Sequence, residues 1–333
     1  MNSSTDQSRP WQQWDYYRAI TPKNILIALV LFVLLSISAH NTEMDVALVK
    51  TSRAILSAVG IGESQVLDGA TRFAGKAFPL QIAQRTEVSR VEDFDPENLP
   101  LFAYVEFAES REYDVMTDSW STETVEFLVE PVGYLSKVLK KMWETIEMGF
   151  WGTILSIMIS LPLGIVASRN YAPFKWVYSV ARGILSFHRS MPELILALLL
   201  VLMFGFGPIA GVLALAIHTS GVLGKFFADE IENAPSGPQQ ALGSSGAGRL
   251  KVLYYAVVPH VLPAWIAYVQ YIFERNIRTA TVLGIVGAGG IGMELKGRWD
   301  LFDYGHVATI LLIIFITVVL LEAVSQRIRK KVI

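Results

Sequence analysis

The 333-residue chain contains no cysteine. That removes disulfides, thiolate metal sites, iron–sulfur clusters and cysteine nucleophiles together. Charge is scarce as well: 17% of the residues are Asp, Glu, Lys or Arg, and 28 basic side chains against 30 acidic leave a net charge of −2. The basic domain that a nucleic-acid partner requires is missing. His40, His188, His260 and His306 show no ligand spacing, so no metal site is expected. What the chain has in excess is apolar surface, with 52% hydrophobic residues and a mean hydropathy of +0.42. This is the composition of a membrane protein.

A helix needs roughly 20 mostly apolar residues to cross about 30 Å of hydrocarbon. Five stretches free of Asp, Glu, Lys and Arg are candidates: Asn24–Thr42, Met148–Ser168, Leu194–Gly224, Val252–Phe273 and Tyr304–Leu321. The third is too long for one span and is broken at Gly205-Phe206-Gly207-Pro208, where the proline lacks an N–H and the glycines tolerate a turn. Its first half, Leu194–Phe204, is extended back through Phe174–Glu193 to make a full helix that carries Arg182, Arg189 and Glu193. Six spans result. Asn24–Ala39 exceeds the usual apolar core of a signal peptide, so it is read as an uncleaved anchor.

Orientation follows from Lys and Arg in the short loops, which gather on the cytoplasmic side. Arg9, Arg18 and Lys23 precede the first span, Arg169 and Lys175 follow the second, and Arg327, Arg329, Lys330 and Lys331 end the chain. With six spans all three groups fall on one side, so both termini are expected in the cytoplasm. The segment 43–141 is then external, with 17 acidic against 10 basic residues. It reads as a small domain or a set of surface helices with turn signals at Asp95-Pro96-Glu97-Asn98 and Leu99-Pro100. Phe127, Leu128, Leu135, Val138, Leu139, Met142, Trp143 and Ile146 recur at helical spacing and predict an amphipathic interfacial helix, with Trp143 and Trp151 at headgroup level.

Between the fourth and fifth spans, Pro238 suits a first helical turn and Gly246 a helix stop. Bacterial ABC importer permeases carry a loop of the form E-A-A-x3-G-x9-I-x-L-P there. This sequence resembles it in spacing at Gln240, Ala241, Leu242, Gly246, Ala256, Val258 and Pro259, with Ala241, Gly246 and Pro259 identical. The stretches 207–225, 273–284, 286–292 and 325–331 look like the phosphonate permease branch of that family. The resemblance covers about 142–333; residues 1–141 share only an early span and an external segment.

The resemblance implies an all-α inner-membrane protein of six transmembrane helices: a type I ABC importer permease core with an added N-terminal span and external segment. Residues 1–23 would be a cytoplasmic tail, 24–42 the first transmembrane helix, and 43–141 a periplasmic segment ending in the amphipathic helix. Residues 142–326 would be the permease core with its cytoplasmic coupling loop at 225–251, and 327–333 a basic cytoplasmic tail. It further implies ATPase coupling through Gln240, Ala241, Leu242, Gly246 and Pro259. The expected partners are a second permease copy, two ATPase subunits, a periplasmic substrate-binding protein and membrane lipid. No phosphate-binding loop G-x4-G-K-[ST] occurs, so ATP chemistry is expected on another chain; no cofactor is expected on this one, and ATP with Mg on the partner ATPase. The implied cargo is a phosphonate or a related phosphorus oxyanion such as phosphite.

Candidate pathway residues are Arg189, Glu193, His218, Glu274, Asn276 and Arg278, because charge within a span is costly and faces a partner or a wet cavity. Arginine offers a planar fork to phosphoryl oxygens. Structural alternatives are an Arg189–Glu193 pair one turn apart, headgroup anchoring by Arg275 and Arg278, and an interhelical hydrogen bond for His218. Thr279–Met293 is uncharged but too short to cross, so a re-entrant segment packed on Gly287, Gly289, Gly290 and Gly292 is expected, against a surface loop. Its G-x-G-x-x-G reading lacks the βαβ context of a dinucleotide site. Two other functions stay open: a permease for another small solute such as an amino acid, and an ion-coupled secondary transporter using Glu193 and Glu274.

Overall fold

The structure, a computed structural model, describes residues 22–60, 62–91, 94–96, 99–100, 102–114 and 119–332. The expected tail through residue 21 and parts of the turn signals near Pro96 lie outside them. The chain divides at residues 75 and 76 into two units. The first holds α1 (Pro22–Asn41), α2 (Met44–Ala58) and most of α3 (Gln65–Ala77). α1 is apolar on every side and has no buried residue, the character of a helix solvated by lipid. It ends at Asn41, and Glu43, with φ of 54°, turns the chain into α2.

The second unit opens with strands that the sequence pattern did not predict. β1 (Gln84–Glu87), β2 (Tyr104–Asp114) and β3 (Ser119–Glu130) form an antiparallel sheet in the order β1-β3-β2. Phe127 and Leu128 therefore lie in β3, paired with Glu87 and Thr86, and do not start the amphipathic helix. Pro131 cannot donate a backbone hydrogen bond, and the helix begins beyond it at Gly133. Along β3 the exposed Thr124 and Glu126 alternate with the half-buried Val125 and Phe127, a period of two inside a stretch that also fits helical spacing. From Gly133 the interfacial part runs unbroken into the span as α4 (Gly133–Val166).

Eight more helices and one π-helical turn complete the unit among the described residues: α5 (Lys175–Ser190), α6 (Glu193–Phe204), α7 (Pro208–Asn233), α8 (Ser236–Ser244), α9 (Arg249–Val252), the turn Leu253–Val257, α10 (Val258–Ile285), α11 (Gly290–Asp300) and α12 (Tyr304–Val332). Among the described residues five helical stretches are long and apolar enough to cross a membrane, and six if α5 and α6 make one broken span. The expected straight helix over 174–204 is bent by 88° between α5 and α6. Met191 is held extended before Pro192, which excludes a continuous helix there. α7 runs on to Asn233, so residues 225–233, expected in the loop, are its last turns. Residues 279–285 likewise belong to α10 and not to a separate segment.

α7 is the most buried span and packs on α4, α5, α6 and α10. Glycines set the spacing: Gly152 of α4 faces Leu215, Gly164 faces the Gly224 carbonyl and Phe227, and Gly149 faces Ile277 of α10. Small residues let backbones approach where lipid offers no hydrophobic drive between helices. α11 turns back on α10 with Gly292 against the Thr281 carbonyl, where any added Cβ would collide.

The sheet end of the bundle is tied by hydrogen bonds. Thr309 Oγ1 donates to the Gln81 carbonyl (2.8 Å) and the Leu135 amide to the Ile82 carbonyl (3.2 Å). In the turn before α12, Asp303 accepts from His306 Nδ1 (2.6 Å) and Arg298 Nη1 (3.0 Å). Burial raises the Asp303 pKa, but the His306 and Arg298 contacts outweigh it and hold the carboxyl below the usual range.

Gly292→Ala should lower the melting temperature in detergent, through a cost of about 1–3 kcal/mol for overpacking. Gly297→Ala in the same helix, where an added Cβ meets nothing within 4 Å, should be neutral or better. Asp303 contributes its stability while ionised, so the contribution is present above about pH 4 and fades as pH falls through the lowered native pKa. Asp303→Asn should then cost about 1 kcal/mol at pH 7, with the gap to the parent closing in unfolding scans taken toward pH 3.

Candidate functional site

At the end of the bundle opposite the sheet, α8 projects as a short exposed helix. Three backbone bonds close it: Ser245 N to Ala241 O (3.3 Å), Gly246 N to Gly243 O (3.0 Å) and Ala247 N to Leu242 O (3.2 Å). Gly246 adopts φ +84° with open space around its Cβ position, so backbone sign and not crowding demands glycine there. Gln240 and Ala241 are exposed and Leu242 is half-buried. Tyr171 Oη donates to Gln239 Oε1 (3.2 Å) and Arg249 Nη2 to the Asn170 carbonyl (2.6 Å), fastening the loop to the turn after α4.

Pro259 is exposed in the first turn of α10, immediately after the π-helical turn. A widened turn relieves the clash between a proline ring and the preceding helix carbonyl. Leu250, Tyr254 and Tyr255 are exposed between Gly246 and Pro259, so the α8 end carries apolar surface beyond the helix itself.

Just inside that end Arg182 of α5 joins three acceptors. Its Nε donates to the Ala167 carbonyl (2.9 Å), Nη1 to Asp229 (2.8 Å) and Nη2 to Glu232 (3.1 Å). Glu232 also accepts the Arg169 amide at 2.8 Å. One guanidinium thus joins the middle of α5 to the last turns of α7.

Deeper in the bundle, Glu193 does not pair with Arg189. Its partner is Arg275 of α10, Nη2 to Oε1 at 2.7 Å. The 88° bend carries Glu193 away from the α5 face that bears Arg189, which is exposed and has no ion pair among the described residues. His218 of α7 completes the cluster: Nδ1 lies 2.8 Å from the Met191 carbonyl and Nε2 lies 3.2 Å from Arg275 Nη2. Nε2 also lies 3.5 Å from Glu193 Oε2, so the ring touches both members of the Glu193–Arg275 pair. Asn276 and Glu274 are buried on α10; Asn276 Nδ2 donates to Thr153 Oγ1 of α4 (2.9 Å), while its Oδ1 finds no partner among the described residues. Arg278 is exposed.

Gly287, Gly289, Gly290 and Gly292 are all buried, and the first three have positive φ. Phe206 lies against Gly287, and the Gly207 amide donates to the Gly287 carbonyl at 3.0 Å, so the turns before α7 and α11 touch. Glu144 accepts the Gly290 amide (2.9 Å) and Thr145 Oγ1 the Ile291 amide (2.8 Å), so α4 side chains cap the start of α11. Glu144, Thr145, Thr153, Arg182, Asp229 and Glu232 were not among the predicted site residues. The unpaired carboxylates of a helix end were the available signal for Asp229 and Glu232; Thr145 and Thr153 gave none. Among the described residues no group of three or more potential ligands is placed for a metal.

Residues 160–332, just over half of the chain, match the family of binding-protein-dependent transport system inner membrane components. HtxE of Stutzerimonas stutzeri, whose name assigns it to phosphite transport as a permease, is 50% identical over 77% of this chain and all of its own length. The phosphite transport system permease protein PtxC of the same organism is 43% identical over 60% of this chain and 72% of its own. A chain of the MetNI methionine ABC transporter in an inward-facing form shares the fold with a TM-score of 0.53 at 22% identity, over 61% of this chain and 99% of that one. With its broken spans, exposed α8 loop and helical core accounted for, the chain belongs to this family of inner-membrane permease subunits of ABC importers, whose ATPase and substrate-binding protein are separate chains.

Proposed function

We propose that this permease carries phosphonates or related phosphorus oxyanions such as phosphite across the membrane by alternating access. The observation that carries the reading is the 50% identity to a phosphite-transport permease along that protein's whole length. A d-methionine transport permease of Pasteurella multocida is only 26% identical over 54% of this chain, which disfavours an amino-acid cargo. The Glu193–Arg275 pair argues against Glu193 as a free ion site of a secondary transporter.

In this reading both termini and α8 face the cytoplasm, and the sheet faces the periplasm toward the binding protein. Two permease copies assemble with two ATPases, which hold ATP and Mg, while this chain binds no cofactor. α8 is the coupling helix, with Gln240, Ala241, Leu242, Gly246 and Pro259 at the contact. Closure of the ATPases pushes on α8, and Arg182 carries the displacement from the end of α7 into α5. The broken α5–α6 span and the glycine turn at 287–292 give the bundle places to pivot. Arg189, His218, Asn276 and Arg278 border the passage, with Glu193 and Glu274 compensating positive charge.

Cells co-expressing the permease, its ATPase and its binding protein should show ATP-dependent uptake of labelled phosphite that unlabelled phosphonate competes and methionine does not. Competition by methionine alone would remove the phosphorus assignment. Gly246→Val places a β-branched residue at φ +84° in an exposed turn, where the fold tolerates it but the loop does not. Uptake should fall at least tenfold with insertion and assembly intact; unchanged uptake would sink the coupling role.

A further inference from the structure

Between the Arg182 junction and the Glu193–Arg275 pair lies a cleft of about 160 Å³ lined by Arg182, Leu185, Ser186, Arg189 and Lys225. Three of its five residues are cationic and none is acidic. Arg182 is already committed to Asp229, Glu232 and the Ala167 carbonyl. Arg189 and Lys225 form neither an ion pair nor a side-chain hydrogen bond among the described residues. Two uncompensated cations on spanning helices are costly unless they face water or an anion.

Backbone packing holds them together. A Cβ at Gly221 would lie 2.6 Å from both the Arg189 amide and the Leu185 carbonyl, so α5 and α7 are in backbone contact there. Lys225 follows Gly221 by one helical turn on the same face. Arg189 and Lys225 therefore cannot drift apart without parting the helices. Of the carboxylates on the flanking levels, Asp229 and Glu232 share Arg182 and Glu193 is held by Arg275. Lys225 stands eight residues, roughly 12 Å, from the α8 end of α7.

We propose that this cleft binds a tetrahedral phosphorus oxyanion, with Arg189 as a two-donor fork, Lys225 as a point charge and Ser186 as a hydroxyl donor. The inference rests on the phosphorus-oxyanion reading above for the cargo. At this depth the same chemistry is also presented by the phosphate of an anionic lipid headgroup, and the two sources separate experimentally.

The test uses the assembled permease–ATPase complex, without binding protein, in phosphatidylcholine nanodiscs with labelled phosphite, and in nanodiscs containing phosphatidylglycerol with retained lipid counted by native mass spectrometry. Arg189→Gln and Lys225→Gln should each weaken phosphite binding at least tenfold or abolish the retained phosphatidylglycerol. Arg189→Lys, which keeps the charge, should retain part of it. Loss in the phosphite arm assigns the site to cargo, and loss in the lipid arm to a headgroup. If the parent binds neither, or the Gln variants match it in both arms, the proposal is overturned. Should Arg189→Gln fail to assemble, Lys225→Gln and Ser186→Ala carry the same comparison. ATP-dependent phosphite uptake by the parent with its binding protein is measured alongside. Uptake with unaltered binding in the variants removes the cleft alone, and absent uptake with lipid lost in the variants removes the cargo reading alone.

Discussion

The bundle depends on how closely α7 approaches its neighbours. In a bilayer, apolar side chains gain little by leaving lipid for protein, so helix association must come from van der Waals contact and interhelical hydrogen bonds. The glycines of α4 and α7 supply the first: Gly152, Gly164, Gly211, Gly221 and Gly224 each lie against a neighbouring helix where an added Cβ would press into it. With the backbones this near, side chains that would be too short to bridge helices reach one another. Thr153 meets Asn276, His188 Nδ1 comes within 2.9 Å of Ser220 Oγ, and His218 reaches the Met191 carbonyl.

Charge is arranged in levels along that framework. At the α8 end Arg182 bridges Asp229 and Glu232; deeper, Arg275 pairs with Glu193, with His218 beside it. Each pair joins two helices, so displacement of one helix is felt by another through a contact that is expensive to leave unmade. Arg189 and Lys225 stand between these levels without such partners among the described residues. The contrast separates charges that hold the bundle from charges available to an anion.

Much of the helical core was legible in the sequence. Asn24–Thr42 matches α1 to within two residues, and Tyr304–Leu321 falls inside α12, which continues eleven residues further to Val332. Gly207-Pro208 marked the start of α7, and Pro238 with Gly246 marked α8 and its stop. The sheet was not legible, because the alternation of period two covers only residues 124–127 before the apolar run Phe127-Leu128-Val129, and Phe127 and Leu128 also fit a helical period that only pairing with β1 and β2 overrules. The 88° bend was missed for a different reason: extending Leu194–Phe204 back through Phe174–Glu193 gives a span of sufficient length, and Pro192, which breaks that extension, was not weighed.

The sequence by itself determined that the chain lives in a membrane, roughly where it crosses, and which exposed loop is shaped for a partner. These follow from local quantities, namely apolar run length, proline and glycine chemistry and the sign of φ at a single turn. Tertiary structure alone decided which charges meet. Glu193 could reach Arg189 one turn back or Arg275 eighty-two residues on, and no local rule ranks the two. The bend at Pro192 and the packing of α10 against α6 bring Arg275 into reach and leave Arg189 to the cleft with Lys225. Pairing across helices is a matter of distance in space, and a linear chain carries that distance only once it has folded.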